Sequence, residues 1–138
     1  MQEIRFQTQP IDAAAAYKEL GARKDGAILS FIGIPREDSN GKTVSYLEYE
    51  VYEDMASKEM QKIVDQAFAN WPITDCLVIH RYGKVDIGEA SIFIGVSSPH
   101  RDEAFKAVRY IIDTIKKTVP VWKKEVYADG SSWISERS

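Results

Sequence analysis

Six apolar residues, Ala104, Ala107, Val108, Ile111, Ile112 and Ile115, recur at intervals of three and four between Pro99 and Pro120. That period gives an α-helix with one apolar face, and such a face has to be covered by another element. Ser98 is placed to be the N-cap and Pro99 the first helical residue, while Asp102 and Glu103 complement the positive end of the dipole. Pro120 stops the helix. The cover is expected to be a sheet, because the chain on both sides reads as strand. Residues 75–82 and 90–97 are two strands joined through Gly83 and Gly88, and residues 121–127 and 132–135 make a hairpin around Asp129-Gly130.

The remaining segments also mix the two periods. Residues 2–7 alternate as a strand, and residues 11–20 read as a short Ala-rich helix begun by Pro10 and stopped by Gly21. Residues 26–34 form a continuous apolar strand that gives way to a polar loop at 35–42, and residues 44–52 alternate Tyr and Val against Glu and Ser. Asp54 is placed to cap a helix that runs to about Trp71, with Met55, Met60, Ile63, Val64, Ala67 and Phe68 near helical spacing. Strict strand–helix–strand alternation is missing, so the fold class is α+β. With 138 residues the chain is expected to be one domain, 1–138. No apolar run approaches the roughly 20 residues of a membrane span. The first five residues carry no leader-like pattern, so no membrane association and a cytoplasmic location are expected.

Charge points to a local anionic ligand. The net charge is −3, which argues against a general nucleic-acid binder. Between His100 and Lys124, however, seven Lys or Arg stand against three acids. A solvated helix face is the plain alternative. His100 and Arg101 open the helix directly after a strand, where free backbone N–H groups and the dipole favour phosphate or carboxylate, or else they merely cap and solvate that end. Lys116, at the far end of the helix, and Lys123, after Trp122 beyond the Pro120 turn, can converge. Crowded by another cation, a lysine there loses its proton more readily and suits proton transfer or nucleophilic work; the alternative is that Lys116, Lys117, Lys123 and Lys124 are surface charges. Arg36 stands where a strand becomes a loop, a frequent place for a ligand contact. His80 reads as a structural hydrogen-bonding residue, and the single cysteine, Cys76, as a buried and inert thiol. No metal-ligand spacing, phosphate loop, dinucleotide fingerprint or serine elbow is present, and no cofactor is expected.

Three blocks go further. Ile79-His80-Arg81-Tyr82-Gly83-Lys84-Val85-Asp86-Ile87-Gly88-Glu89, then Val96-Ser97-Ser98-Pro99-His100-Arg101-Asp102-Glu103-Ala104-Phe105, then Val119-Pro120-Val121-Trp122-Lys123-Lys124-Glu125 with Asp129-Gly130 and Trp133, occur in this order. Together they resemble the large, catalytic subunits of molybdopterin synthase, over roughly residues 26 to 137. Phe31-Ile32-Gly33-Ile34-Pro35-Arg36 is similar to that family's strand-and-loop block, apart from Pro35, where a small aliphatic residue is expected.

The resemblance implies an α/β-hammerhead-type domain with a mixed, mostly antiparallel sheet and packed helices. It also implies a homodimer of large subunits, each bound to a ubiquitin-like small subunit whose Gly-Gly tail ends in a thiocarboxylate. That tail would deliver sulfur to cyclic pyranopterin monophosphate, twice per dithiolene. By the same resemblance, Lys116 is the essential lysine near the tail's end and Lys123 its companion. Arg36, His100 and Arg101 are implied to bind anions, and Arg137 to act across the dimer. The competing expectations are an adaptor that grips a ubiquitin-like tail without catalysis, and a phosphate-metabolite enzyme that needs no protein partner.

Overall fold

The computed structural model describes residues 1–135. In chain order its elements are β1 (Gln2–Gln7), α1 (Ala13–Lys18), β2 (Ala27–Gly33), β3 (Asp38–Ser39), β4 (Lys42–Val51), α2 (Glu53–Asn70), β5 (Asp75–Arg81), β6 (Gly83–Asp86), β7 (Ile92–Ser98), α3 (Arg101–Thr118), β8 (Val121–Tyr127) and β9 (Ser132–Ser135). They build two sheets. The first has the order β1-β5-β7-β2, with β1 parallel to β5 and the other neighbours antiparallel. The second has the order β3-β4-β8-β9, with β6 also paired to β4, and is antiparallel throughout. The class is the α+β expected from the sequence.

Every residue of β5 and β7 is buried, because helices cover both faces of the first sheet. Cys76, Val78, Ile92, Ile94 and Val96 join the core with the apolar faces of α2 and α3, whereas Leu77, Ile79 and Phe93 pack with Ala16 of α1 and Leu20 just after it. Two-sided burial is why these strands read as unbroken apolar runs rather than as alternation. On the α1 side the fit is close: a Cβ on Gly95 would lie 2.4 Å from Leu20 Cδ1 and 2.8 Å from Phe93 Cε1. Gly95→Val should therefore cost about 1–3 kcal/mol through overpacking, read as an earlier thermal transition. An unchanged transition would mean that α1 yields freely.

The helix starts differ from the sequence reading. The helix α3 begins at Arg101 with His100 as N-cap and no side-chain cap bond, so Ser98 and Pro99 lie outside it. Ser98 is still in the sheet: it pairs with Ala27, and its carbonyl accepts from the Gly26 N–H at 3.1 Å. Its hydroxyl donates to the His100 carbonyl instead of capping a helical N–H. The helix α2 likewise follows Tyr52 without a side-chain cap, and Asp54 falls in its first turn, where it complements the dipole. Residues 83–86, read only as part of a connection, form β6 and pair with β4 from Tyr46 to Tyr49.

Candidate active site

Lys116 lies in the last turn of α3. The turn closes with Val119 N–H donating to the Ile115 carbonyl, Pro120 prevents further winding, and β8 starts at Val121. This corner brings Lys123, the third residue of β8, back towards Lys116. Lys123 shares its strand face with the buried Val121, Glu125 and Tyr127, and its cross-strand partner on β4 is Tyr49. Tyr49 is itself buried and meets the ring of His80 edge-on at 5.6 Å. The start of β8 thus follows directly on the end of α3 and is joined through Tyr49 of β4 to the end of β5.

The electrostatics of this corner are unbalanced. Lys116 is reached by solvent, yet surrounding atoms remove enough hydration to lower its pKa, and the positive charge of Lys123 lowers it further. Among the described residues neither lysine makes a hydrogen bond or an ion pair. Nearby cations do: Lys106 is matched by Asp102, Arg109 by Asp113, and Lys124 lies 4.0 Å from Glu48. Two cations near enough to act on one another, neither of them in an ion pair among the described residues, form a receptor for an external anion. Lys116 should react with an amine-acylating reagent at a lower pH than free lysine does, read by peptide mass across a pH series. Reaction only at the pH of the free amino acid would contradict the crowding.

Each lysine opens onto its own hollow. Lys116 closes one of about 670 Å³ between β2 and α3, with Leu29, Phe31, Phe105, Val108 and Ile112 as apolar walls. Lys123 lines a smaller one of about 330 Å³ with Tyr49, Gly83 and Trp122, and Glu48 and Glu50 also stand in its wall. His100 and Arg101 line a third with Gly26 and Pro99, at the other end of α3, and Phe105 borders both that hollow and the Lys116 groove. Fifteen residues of helix separate Arg101 from Lys116, which is about 22 Å at 1.5 Å per residue. Within one chain, then, Lys116 and Lys123 are brought together while His100 and Arg101 are held apart from them. Arg36 is exposed on the loop after β2, outside all three hollows, and Pro35 beside it is buried. Arg137 lies outside the described residues.

The other residues singled out in the sequence have structural places. His80 is buried, and its Nδ1 lies 2.9 Å from the Arg81 carbonyl. The guanidinium of Arg81 donates to the Thr8 carbonyl and pairs with Glu89 at 3.0 Å, tying β1 and the loop before β7 to β5. Cys76 is fully buried, and burial pushes its thiol up to about 12. It should resist thiol reagents in the folded protein, and Cys76→Ala should leave turnover within about twofold; loss of turnover in that variant would place Cys76 in the chemistry. Tyr49 was not legible as a site residue, since its Tyr–Val alternation reports only a strand. Among the described residues no group of three His, Cys, Asp or Glu could hold a metal ion, and no helix is long and apolar enough to cross a membrane.

Residues 6–118 match the family model described as MoaE protein. The chain belongs to the MoaE family. The molybdopterin synthase catalytic subunit of Bacillus subtilis is 42% identical over 99% of this chain and 87% of its own length. Molybdopterin synthase catalytic subunit 1 of Aedes aegypti is 52% identical over 78% of this chain and 72% of its own. The crystal structure of molybdopterin synthase from Staphylococcus aureus superposes with a TM-score of 0.89 at 37% identity, covering 95% of each chain. The MoaE fold is therefore the one described above, and the lysine corner is built by segments inside or just beyond the matched range.

Proposed function

We propose that this chain is the catalytic subunit of molybdopterin synthase, a cytoplasmic sulfurtransferase that builds the dithiolene of molybdopterin on cyclic pyranopterin monophosphate. Its sulfur comes from the C-terminal thiocarboxylate of a ubiquitin-like small subunit. The observation that carries this reading is the pair of unmatched lysines, Lys116 and Lys123, at the corner after α3. Both reactants are anions that repel one another, and two neighbouring cations offset that repulsion and bring them within reach.

The reaction has two parts at each sulfur. The thiocarboxylate sulfur forms a bond to a side-chain carbon of the pterin as a carbon–oxygen bond at that carbon breaks and its oxygen leaves with the electron pair, giving a thioester. Water then adds to the acyl carbon, the C–S bond breaks, the sulfur remains on the pterin and the tail leaves as a carboxylate. Lys116, whose amine gives up its proton more easily than an ordinary lysine, moves the proton of the attacking water. Lys123 holds the negative charge that passes through the tetrahedral species. A second small subunit repeats the cycle.

Arg36, His100, Arg101 and Arg137 are proposed to hold the phosphate. Arg101 is about 22 Å along the helix from Lys116, so His100 and Arg101 serve the lysines of a second copy, and a two-fold homodimer supplies that arrangement. Arg137 is proposed to act across the same interface.

The test is reconstitution. The purified chain, a thiocarboxylated small subunit and cyclic pyranopterin monophosphate are mixed, and the pterin mass is followed. A pterin gaining two sulfurs, with the small subunit returning to its carboxylate form, is the expected result. A tail that binds without any sulfur leaving it would make this chain an adaptor, and sulfuration by inorganic sulfide alone would remove the protein partner.

A further inference from the structure

The turn between β3 and β4 consists of Asn40 and Gly41, both exposed, and it joins Ser39 to its cross-strand partner Lys42. The two residues have φ of 53° and 73°, the conformation of a two-residue type I′ hairpin, and Asn-Gly is the pair that such a turn favours. The same pair is chemically weak. Asparagine is a heat-labile residue, and a following glycine has no side chain to keep its backbone nitrogen from the asparagine side-chain carbonyl. Attack requires that nitrogen to be free, and here the structure separates the sites. The chain has two asparagines, Asn40 and Asn70, and two Asp-Gly pairs, which are open to the same ring closure. After Asn70, the Trp71 N–H donates to the Ala67 carbonyl at 3.0 Å. After Asp25, the Gly26 N–H donates to the Ser98 carbonyl at 3.1 Å, and after Asp129, the Gly130 N–H donates to the Tyr127 carbonyl at 3.0 Å. The Gly41 N–H donates to no group among the described residues, and a Cβ on Gly41 would meet nothing within 4 Å.

We propose that Asn40 is a site of spontaneous deamidation, the one of these four sites that the fold leaves open to it. The Gly41 nitrogen gives its proton to a base in the solvent and bonds to Cγ of Asn40. The Cγ–Nδ2 bond breaks, and Nδ2 leaves as ammonia after taking a proton from water. A second water opens the five-membered imide at either carbonyl, leaving aspartate or its β-linked isomer. The net reaction is hydrolysis of one amide, with no change of oxidation state. Its consequence is also set by the structure. Asn40 Nδ2 donates to the Tyr127 hydroxyl at 3.1 Å, and that hydroxyl donates to the buried Glu125 at 3.4 Å. A carboxylate has no proton to give, so the turn loses its bond to β8 and sets a negative charge beside the hydroxyl that serves Glu125. In the β-linked isomer an extra backbone carbon also lengthens the turn and disturbs the pairing of Ser39 with Lys42. Lys42 itself is held by Asp129 at 3.2 Å and by Ser131 at 2.9 Å, so the strands stay joined while the tip between them changes.

The test ages the purified full chain for days at mildly alkaline pH, beside a sample unfolded in urea, and maps the peptides by mass. In the folded chain Asn40 should pass to aspartate and its β-linked isomer at a rate within about tenfold of the unfolded sample, because an exposed turn opens at little cost. Run in heavy-oxygen water, both products should carry one solvent oxygen. Asn70, Asp25 and Asp129 should stay unchanged in the folded chain over the same period. Asn40→Asp supplies one product directly, and its thermal transition should lie about 2–6 °C below that of the wild type. Conversion of folded Asn40 more than about tenfold slower than in urea would overturn the proposal. So would equal conversion at Asn70 or at the two Asp-Gly pairs, a product without solvent oxygen, or an Asn40→Asp chain with the wild-type transition. None of these readings depends on sulfur-transfer activity.

Discussion

Lys116→Ala is expected to fold normally and to form dithiolene roughly a thousandfold more slowly than the wild type, a loss within the range for removing a positioned proton-transfer group together with a charge that stabilises the transition state. The fold should survive because the side chain supports nothing. Lys116 makes no bond among the described residues, and the packing of its turn depends on Ile111, Ile112 and Ile115. What the helix end loses is a cation near its negative pole, about 0.3–1 kcal/mol, and relief of the repulsion from Lys123 offsets part of it. Lys116→Arg separates the two roles of the residue. A guanidinium keeps the charge but does not release a proton near neutral pH, so tail binding should persist while turnover stays low. Near-normal product from Lys116→Ala would remove Lys116 from the chemistry; circular dichroism and small-subunit binding, measured alongside, separate that outcome from misfolding.

A mixture of Lys116→Ala and Arg101→Ala chains, each nearly inactive alone, should regain about a quarter of wild-type activity if the dimer is two-fold and Arg101 serves its partner's lysines. Half of the randomly paired dimers are then mixed, and each mixed dimer has one site with both groups intact. The helix makes this a sharp test. About 22 Å of α3 separates the two side chains in one chain, too far for both to hold one small molecule, and the hollow lined by His100 and Arg101 is distinct from the groove closed by Lys116. No recovery, with mixed dimers shown to form by mass, would mean that Arg101 does not act across the interface. The same mixing with Arg137→Ala tests the tail end of the chain.

Much of this was legible in the sequence, and the residues show why the rest was not. The apolar stripe of α3 is a strictly local pattern, and Pro120 marks the corner that lets Lys116 and Lys123 meet. Which residue caps α3 was not local. Ser98 is a good cap by type, yet the Gly26 N–H draws its carbonyl into the sheet, and the helix starts at Arg101 instead. The division into two sheets was equally hidden, because β6 is short, has one buried residue, Val85, and exists only through its pairing with β4. His80 was read as structural from its strand position. Its hydrogen bond to the Arg81 carbonyl supports that reading. The resemblance groups His100, Arg101, Lys116 and Lys123 as site residues, where helix rise keeps Arg101 about 22 Å from Lys116 within one chain.

The most direct measurement of the central claim is where the small subunit's terminal carboxyl comes to rest. A zero-length carbodiimide coupling of the assembled complex, followed by tandem mass spectrometry, converts a carboxylate–lysine contact into an amide at a named residue. The tail is predicted to join Lys116, with Lys123 as the minor product, and the yield should fall when cyclic pyranopterin monophosphate competes for the same corner. Coupling to other lysines with Lys116 and Lys123 untouched would show that the two unmatched cations do not receive the tail.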